Sequence, residues 1–399
     1  MLKTPFTPWP NFTREEAEAV SAVLLSNRVN YWTGDLCRAF EREFAKWTGS
    51  THAIALANGT VALDLALHGL GIGTANGGGA SDEVIVTPRS FIASVSCVAL
   101  AGAVPVFADV DRNSGNISAE TIAPLLTERT KAIIVVHLAG WPADMEPIIA
   151  LARARGLKVI EDCAQAHGAR YEGRSVGVIG DVGVWSFCQD KIMTTGGEGG
   201  MVTCDDAALW SRMWSFKDHG KNWDAVYSLQ HAPGFRWVHD SLGTNWRMLE
   251  MQAAIGRIQL TRMPAWTARR MRIAMRLRET LLSFKEAIRV PVPDGSTVHA
   301  YYRLYAYVKP EGLRPGWDRD RLVAEFVAQA VPLFQGSCSE IYLEKAFDGT
   351  GWRPKTPLPV AKELGKTSLM FLTHPTLTDA EIDVVCETAK SVFAEAVLR

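Results

Sequence analysis

Between residues 52 and 187, six short apolar runs (HAIALA, EVIVTP, PVFADV, KAIIVVH, KVIEDC and VGVWSF) recur among stretches of helical periodicity such as VALDLALHGL, IASVSCVALAG and EPIIALARARG. Runs this short and this rich in Val and Ile read as buried strands, and strands interleaved with helices imply an α/β domain built on a mainly parallel sheet. That architecture also restricts the chemistry, because ligands of such sheets bind in the turns beyond the carboxyl ends of the strands. The residues that follow each run are therefore the ones to weigh.

Around this block the organisation changes. REEAEAVSAVLLSN and LCRAFEREFAKWTG carry the spacing of two amphipathic helices before the first strand. After it, RMLEMQAAIGRIQL runs toward LRETLLSF as one long helix into a second unit of α+β character. That unit has strands near RVPVP and YRLYAYV, a helix at DRDRLVAEFVAQAV and a closing helix TDAEIDVVCETAKSVFAEAV. We place the boundary near residue 260, giving a large domain over 1–260 and a small one over 261–399. No internal repeat is present. GIGTANGGGASDE lacks the Lys-Ser/Thr ending of a nucleotide-binding P-loop and reads as a flexible loop.

Charge excludes some functions. Of 399 residues, 21% are charged with a formal net charge of −1, which gives no electrostatic case for binding nucleic acid or an anionic membrane. The Arg-rich stretch 262–278 interleaves Trp266, Met271, Ile273 and Met275, as the solvated face of an amphipathic helix does. Neither a signal peptide nor a membrane-spanning segment is apparent, so a cytoplasmic protein is expected. The seven cysteines are scattered without CxxC spacing, which points to reduced, packed thiols and to no metal site.

Four turns could carry chemistry. Asp162 closes a buried strand, where a carboxylate needs a partner: either the protonated ring nitrogen of a cofactor such as pyridoxal phosphate, or an N-cap or internal salt bridge. Lys191 follows VGVWSF closely and is either a Schiff-base amine or a surface lysine before the turn of Gly196, Gly197, Gly199 and Gly200. NGTVALDLAL has the form of a phosphate cup, with Gly59 admitting the backbone, Thr60 offering a hydroxyl and free helix amides behind; an ordinary N-cap is the alternative. Phe91 in TPRSFIAS is placed to stack on a flat cofactor, or to fill core.

Taken in order along the chain, VNYWTGDLCRAFEREFA, ALANGTVALDLAL, AGAVPVFADVD, VIEDCAQAHGARYEGRSVG, GDVGVWSFCQDKIMTTGGEGGMV, NWRMLEMQAAIGRIQL and THPTLTDAEID resemble the DegT/DnrJ/EryC1/StrS family of pyridoxal phosphate-dependent nucleotide-sugar aminotransferases. The resemblance covers nearly the whole chain. It implies fold type I, the aspartate aminotransferase fold: a large domain with a mainly parallel seven-stranded sheet and a smaller α+β C-terminal domain. It makes Lys191 the Schiff-base lysine and proton shuttle, Asp162 the carboxylate facing the pyridine nitrogen, and Gln165 the contact to the cofactor's phenolic oxygen. Gly59, Thr60 and Ser186 match the phosphate positions, and Phe91 the stacking position. Asn245 matches a residue that such enzymes donate to the neighbouring subunit's phosphate, which implies a homodimer with shared sites.

The implied reaction takes an amino group from L-glutamate, releasing 2-oxoglutarate and leaving pyridoxamine phosphate, and passes it to a keto group of a nucleotide-linked deoxyhexose, C4 in preference to C3, in a polysaccharide pathway such as O-antigen synthesis. The related sugar dehydratases carry His where Lys191 stands, so the lysine reads as transamination. A cyclitol-ketone aminotransferase of an antibiotic pathway, or a non-catalytic sensor of the same fold, are the other readings. The segment 216–243 borders the sugar-nucleotide site in the family, so His219, Lys221, His231 and Arg236 are substrate candidates, as are Ser339 and Tyr342 in 335–347. Arg89 is unusual for the family; it is either a contact to substrate phosphate or carboxylate, or an exposed or structural arginine.

Overall fold

The structure, a computed structural model, describes residues 6–398. Its main sheet has seven strands in the order His52–Leu56, Gly200–Cys204, Val182–Ser186, Lys158–Asp162, Thr130–Val136, Glu83–Val86 and Val104–Phe107. Six are the apolar runs of the sequence, all mutually parallel in direction. The seventh, Gly200–Cys204, runs antiparallel to both neighbours. It opens on glycine immediately after the Gly-rich turn, which is why its sequence reads as loop. Val84, Ile85, Val86, Ile133, Ile134 and Val135 are all fully buried, so the sheet is covered on both faces, and each such side chain stabilises the fold by about 1.5–3 kcal/mol.

The two N-terminal helices span Arg14–Leu25 and Leu36–Thr48. The first opens on a capping box, Thr13 with Glu16, and the buried Glu16 carboxylate also accepts from Gln259 at 2.7 Å and Arg262 at 3.1 Å. Both partners lie on the long helix Glu250–Leu282, which runs unbroken for 33 residues. Ala253, Leu260 and Met263 on that helix pack into the core of the large sheet. Farther along, Ile273, Ala274, Leu277 and Leu281 pack into a second core with Leu322, Phe326, Ile382 and Phe393. The sheet of this second unit is antiparallel, with Arg303–Val308 and Ser368–Leu372 at its centre and the two-residue strands Ile288–Arg289 and Leu333–Phe334 at its edges.

Two local expectations change. The glycine-rich segment is a pinned turn rather than a flexible loop: the buried Asp82 carboxylate accepts the N–H groups of Gly73 at 3.0 Å and Gly79 at 2.9 Å, and Asn76 donates back to Ile72. In the Arg-rich helix, Arg269 and Arg276 pair with Asp379 and Asp383 at the surface, whereas Arg270 is fully buried against the Trp9 ring at 5.3 Å. Five of the seven cysteines are buried and all are unpaired. Among the described residues no helix is long and apolar enough to cross a membrane.

Candidate active site

The carboxyl ends of the strands converge on a cavity of about 510 Å³. Each wall comes from a turn singled out by the sequence: Asn58, Gly59 and Thr60 after the first strand, Ser90, Phe91 and Ser94 after the second, and Asp162 and Gln165 at the end of the fifth parallel run. Ser186, Asp190 and Lys191 close it from the end of VGVWSF. Gly59, Thr60, Phe91, Asp162, Gln165, Ser186 and Lys191 thus share one cavity although 132 positions separate the first from the last.

Backbone lines one end. The helix Gly59–Leu70 begins there, capped by the Asn58 side chain, which accepts the Val61 N–H at 3.0 Å. The amides of Gly59 and Thr60 precede that capped position, so they belong to the first turn, whose N–H groups have no acceptor within the helix. A Cβ on Gly59 would stand 2.6 Å from Cβ of Ser186, so glycine is what lets the helix start lie against the serine. Ser186 accepts the Cys188 N–H at 3.3 Å, which leaves its hydroxyl proton to donate toward the cavity. Amides, a helix N-terminus and two hydroxyls are groups that could hold a dianionic phosphate.

The other end is set by Asp162 and Gln165. One Asp162 oxygen accepts the Ser94 hydroxyl at 2.7 Å and the other accepts the Ala164 N–H at 3.1 Å, so neutral donors fix the orientation of the carboxyl group. Gln165 accepts the Ala139 N–H through Oε1 at 2.7 Å, which turns its amide nitrogen, a donor, to the free side. The residue before Asp162 points to the opposite face of the sheet, as strand geometry requires. There Glu161 accepts three backbone N–H groups, from Gly177, Ile179 and Gly180, and Nε2–H of His137 at 3.0 Å. Burial raises the Glu161 pKa, but the His137 and backbone donors outweigh it and leave the carboxyl below its ordinary value. Cys163 lies within 4.8 Å of this pair, yet both carboxylate oxygens are already taken by N–H donors.

Lys191 extends along the cavity wall with Nζ 3.4 Å from Asp190 and 5.6 Å from the ring centre of Tyr302. Its backbone is fixed from both sides: its N–H donates to Cys188 at 3.0 Å, and Trp9 Nε1 donates to its carbonyl at 2.8 Å. Burial pushes the amine's pKa down, while Tyr302 and Asp190 push it up, and the balance leaves it above the ordinary lysine value.

The remaining sequence candidates lie elsewhere. Asn245 is exposed and does not line the cavity. Arg89 is fully buried, neither exposed nor open to a ligand; it donates to Ser339 and lies 5.3 Å over the Tyr305 ring. Ser339 in turn donates to the Ala361 carbonyl at 2.7 Å, and Tyr342 donates to Glu340, so the polar groups of both are spent inside the protein. Lys221 pairs with Asp218 at 3.1 Å and sits 3.2 Å over the Trp32 ring. His219 adopts a left-handed backbone, φ 61°, with its N–H bonded to Thr244, His231 contacts the Ala225 carbonyl, and Arg236 is exposed on the same strap. Among the residues of the cavity region that escaped the sequence reading, three bear on the site's key side chains. Asp190 carried a signal, a carboxylate next to the candidate lysine; Ser94 and Tyr302 carried none, since their partners are 68 and 112 residues away.

The sequence matches the DegT/DnrJ/EryC1/StrS aminotransferase family over residues 10–390. It is 33% identical over 390 residues to the GDP-perosamine synthase of Escherichia coli O157:H7, covering 97% of this chain and 98% of that protein. It is 36% identical over 356 residues to the UDP-N-acetyl-3-dehydro-alpha-D-glucosamine 3-aminotransferase of Acidithiobacillus ferrooxidans, covering 89% of this chain and 88% of the other. The crystallised aminotransferase from Psychrobacter cryohalolentis is 59% identical with a TM-score of 0.95, over 98% of this chain and 99% of that one. The chain belongs to this family, and it is a pyridoxal phosphate-dependent aminotransferase.

Proposed function

We propose that this member of the family moves an amino group from L-glutamate to the keto group, at C4 rather than C3, of a nucleotide-linked deoxyhexose, acting as a cytoplasmic homodimer in polysaccharide biosynthesis. The observation that carries the reading is the convergence of Lys191, Asp162, Gln165 and a backbone phosphate cup on one cavity. The names of the relatives, a GDP-sugar synthase and a UDP-sugar aminotransferase, support the substrate class.

The residues present fit pyridoxal phosphate. The cradle at Gly59, which a Cβ would fill, takes the phosphate with the amides of Gly59 and Thr60 and the hydroxyls of Thr60 and Ser186. Asp162, already oriented by Ser94 and Ala164, would accept from the pyridine N–H, and the Gln165 amide would donate to the phenolic oxygen. Phe91, 68% exposed, lies across the cavity mouth, where its ring is free to stack. When bound, the cofactor supplies the electron sink for the carbanion. Lys191 would anchor it and, as a free amine, would serve as the base that takes up and returns a proton at the donor's α-carbon.

Two observations support the dimer. Asn245 is exposed away from its own cavity, and the strap before it presents Phe235, Trp237 and Leu242 at 80%, 88% and 95% exposure, apolar side chains that a partner subunit would cover. The deciding experiment incubates the glutamate-treated enzyme with UDP-, GDP- and dTDP-linked 4-keto and 3-keto sugars and follows products by mass spectrometry. Amination of a 4-keto sugar is expected; amination of 3-keto sugars alone, or of none of the panel, would overturn the reading.

A further inference from the structure

Consecutive residues on an irregular turn usually point apart, yet Asp190 and Lys191 both line the same cavity with carboxylate and amine 3.4 Å from each other. Asp190 is not left to choose its own rotamer. Its second oxygen accepts the hydroxyl of Tyr302, which lies just before the strand Arg303–Val308 and packs into the core of the large sheet, and Arg303 lies 4.1 Å over the Tyr302 ring.

The delivery of Tyr302 is itself constrained. The preceding Tyr301 holds a left-handed backbone, φ 47°, unusual for an aromatic residue. That conformation is over-determined: the Tyr301 N–H donates to Nδ1 of His299 at 2.8 Å, its ring stacks on His299 at 3.9 Å, and its carbonyl accepts from Thr373 at 2.6 Å. Strained backbone held by this many contacts is characteristic of functional sites. Here it turns the start of the strand Arg303–Val308 so that the Tyr302 hydroxyl reaches Asp190.

We propose that Asp190 and Tyr302 form a positioning pair for Lys191: whenever the amine is not covalently engaged, its ammonium donates to Asp190 Oδ1 while Tyr302 holds Oδ2, parking the amine at the cavity wall. The inference rests on the role given to Lys191 above and adds how that lysine is held between steps. The groups that bear on the amine come from every side: Tyr302 from the segment leading into the antiparallel sheet, Asp190 and Cys188 on its own turn, and His167 from the turn after Asp162. Arg303 acts on Asp190, and Arg270 of the long helix acts on His167. Asp190 is the carboxylate in that set whose oxygen is within ion-pair distance of Nζ.

The test measures, as a function of pH, how fast Lys191 is labelled by a small amine-acylating reagent in the full-length, cofactor-stripped protein, with the labelled peptide identified by mass spectrometry. An opposite charge this close shifts a titration by about one pH unit or more, and the low end applies because Asp190 is half exposed. Asp190→Asn is therefore expected to move the labelling midpoint of Lys191 about one unit toward acid. Asp190→Glu should keep it near wild type, and Tyr302→Phe should move it part of the way. A wild-type midpoint in Asp190→Asn overturns the pair; should that variant not fold, a wild-type midpoint in Tyr302→Phe overturns it. Failure of the underlying role looks different: visible absorbance on adding pyridoxal phosphate that persists in Lys191→Ala would remove Lys191 from the reaction, whatever its midpoint.

Discussion

Gly59 and Ser186 touch backbone to side chain: a Cβ on the glycine would lie 2.6 Å from Cβ of the serine, nearer than such atoms approach. Gly59→Ala must therefore push apart the helix start and the strand end that together make the phosphate cup. We expect cofactor affinity to fall about tenfold, or ~1.4 kcal/mol, in a fluorescence titration, with the melting temperature nearly unchanged because alanine also favours the helix.

Ser94 reaches Asp162 at 2.7 Å and is the side-chain donor that orients it. Removing one hydrogen bond to a charged group costs about 1.5–3 kcal/mol, so Ser94→Ala should lower turnover by roughly tenfold or more while leaving Lys191 reactive. Steady-state kinetics with glutamate check this; full activity in the variant would mean that Ala164 alone suffices.

On the other face of the same strand, Glu161→Gln should damage stability and spare the site. An amide cannot accept three backbone N–H groups and His137 together, and the loss should be about 3 kcal/mol, read by denaturant unfolding. Because the folded carboxyl titrates below its ordinary value of 4.5, its stabilisation is present above that pH and lost below it. The variant should therefore show a flatter loss of stability in acid.

Burial holds His167, His299 and His374 at about 3, with Lys191 and Arg270 adding to the effect on the first and Arg270 and Arg303 on the last. Unfolded, each would titrate near 6.5 and take up a proton that the folded form does not bind. Stability therefore rises with pH between about 3 and 6.5, by up to ~1.4 kcal/mol per unit for each histidine. Thermal melts at pH 7.5 and 5.5 should differ by several degrees, with the acid sample melting first.

The parallel strands were legible because β-branched runs buried on both faces need no context, and the residues ending those runs mark the site. Lys191, Asp162 and Gly59 were placed that way. Gly200–Cys204 was not, since a strand opening on glycine behind Gly196, Gly197 and Gly199 has the local chemistry of a turn. Nor was the hold on Asp82 by Gly73 and Gly79, which turns a glycine-rich stretch into fixed structure. Tyr302 could not be found by any local pattern: its partner Asp190 is 112 residues away, and their meeting depends on the left-handed turn at Tyr301.

The central claim is that Lys191 is the amine that captures the cofactor. Borohydride reduction of the pyridoxal phosphate-loaded enzyme, followed by peptide mass spectrometry, tests it directly. The account predicts one stable pyridoxyl adduct per chain, on the peptide bearing Lys191, and none in Lys191→Ala; an adduct on another lysine in the wild-type enzyme would contradict it.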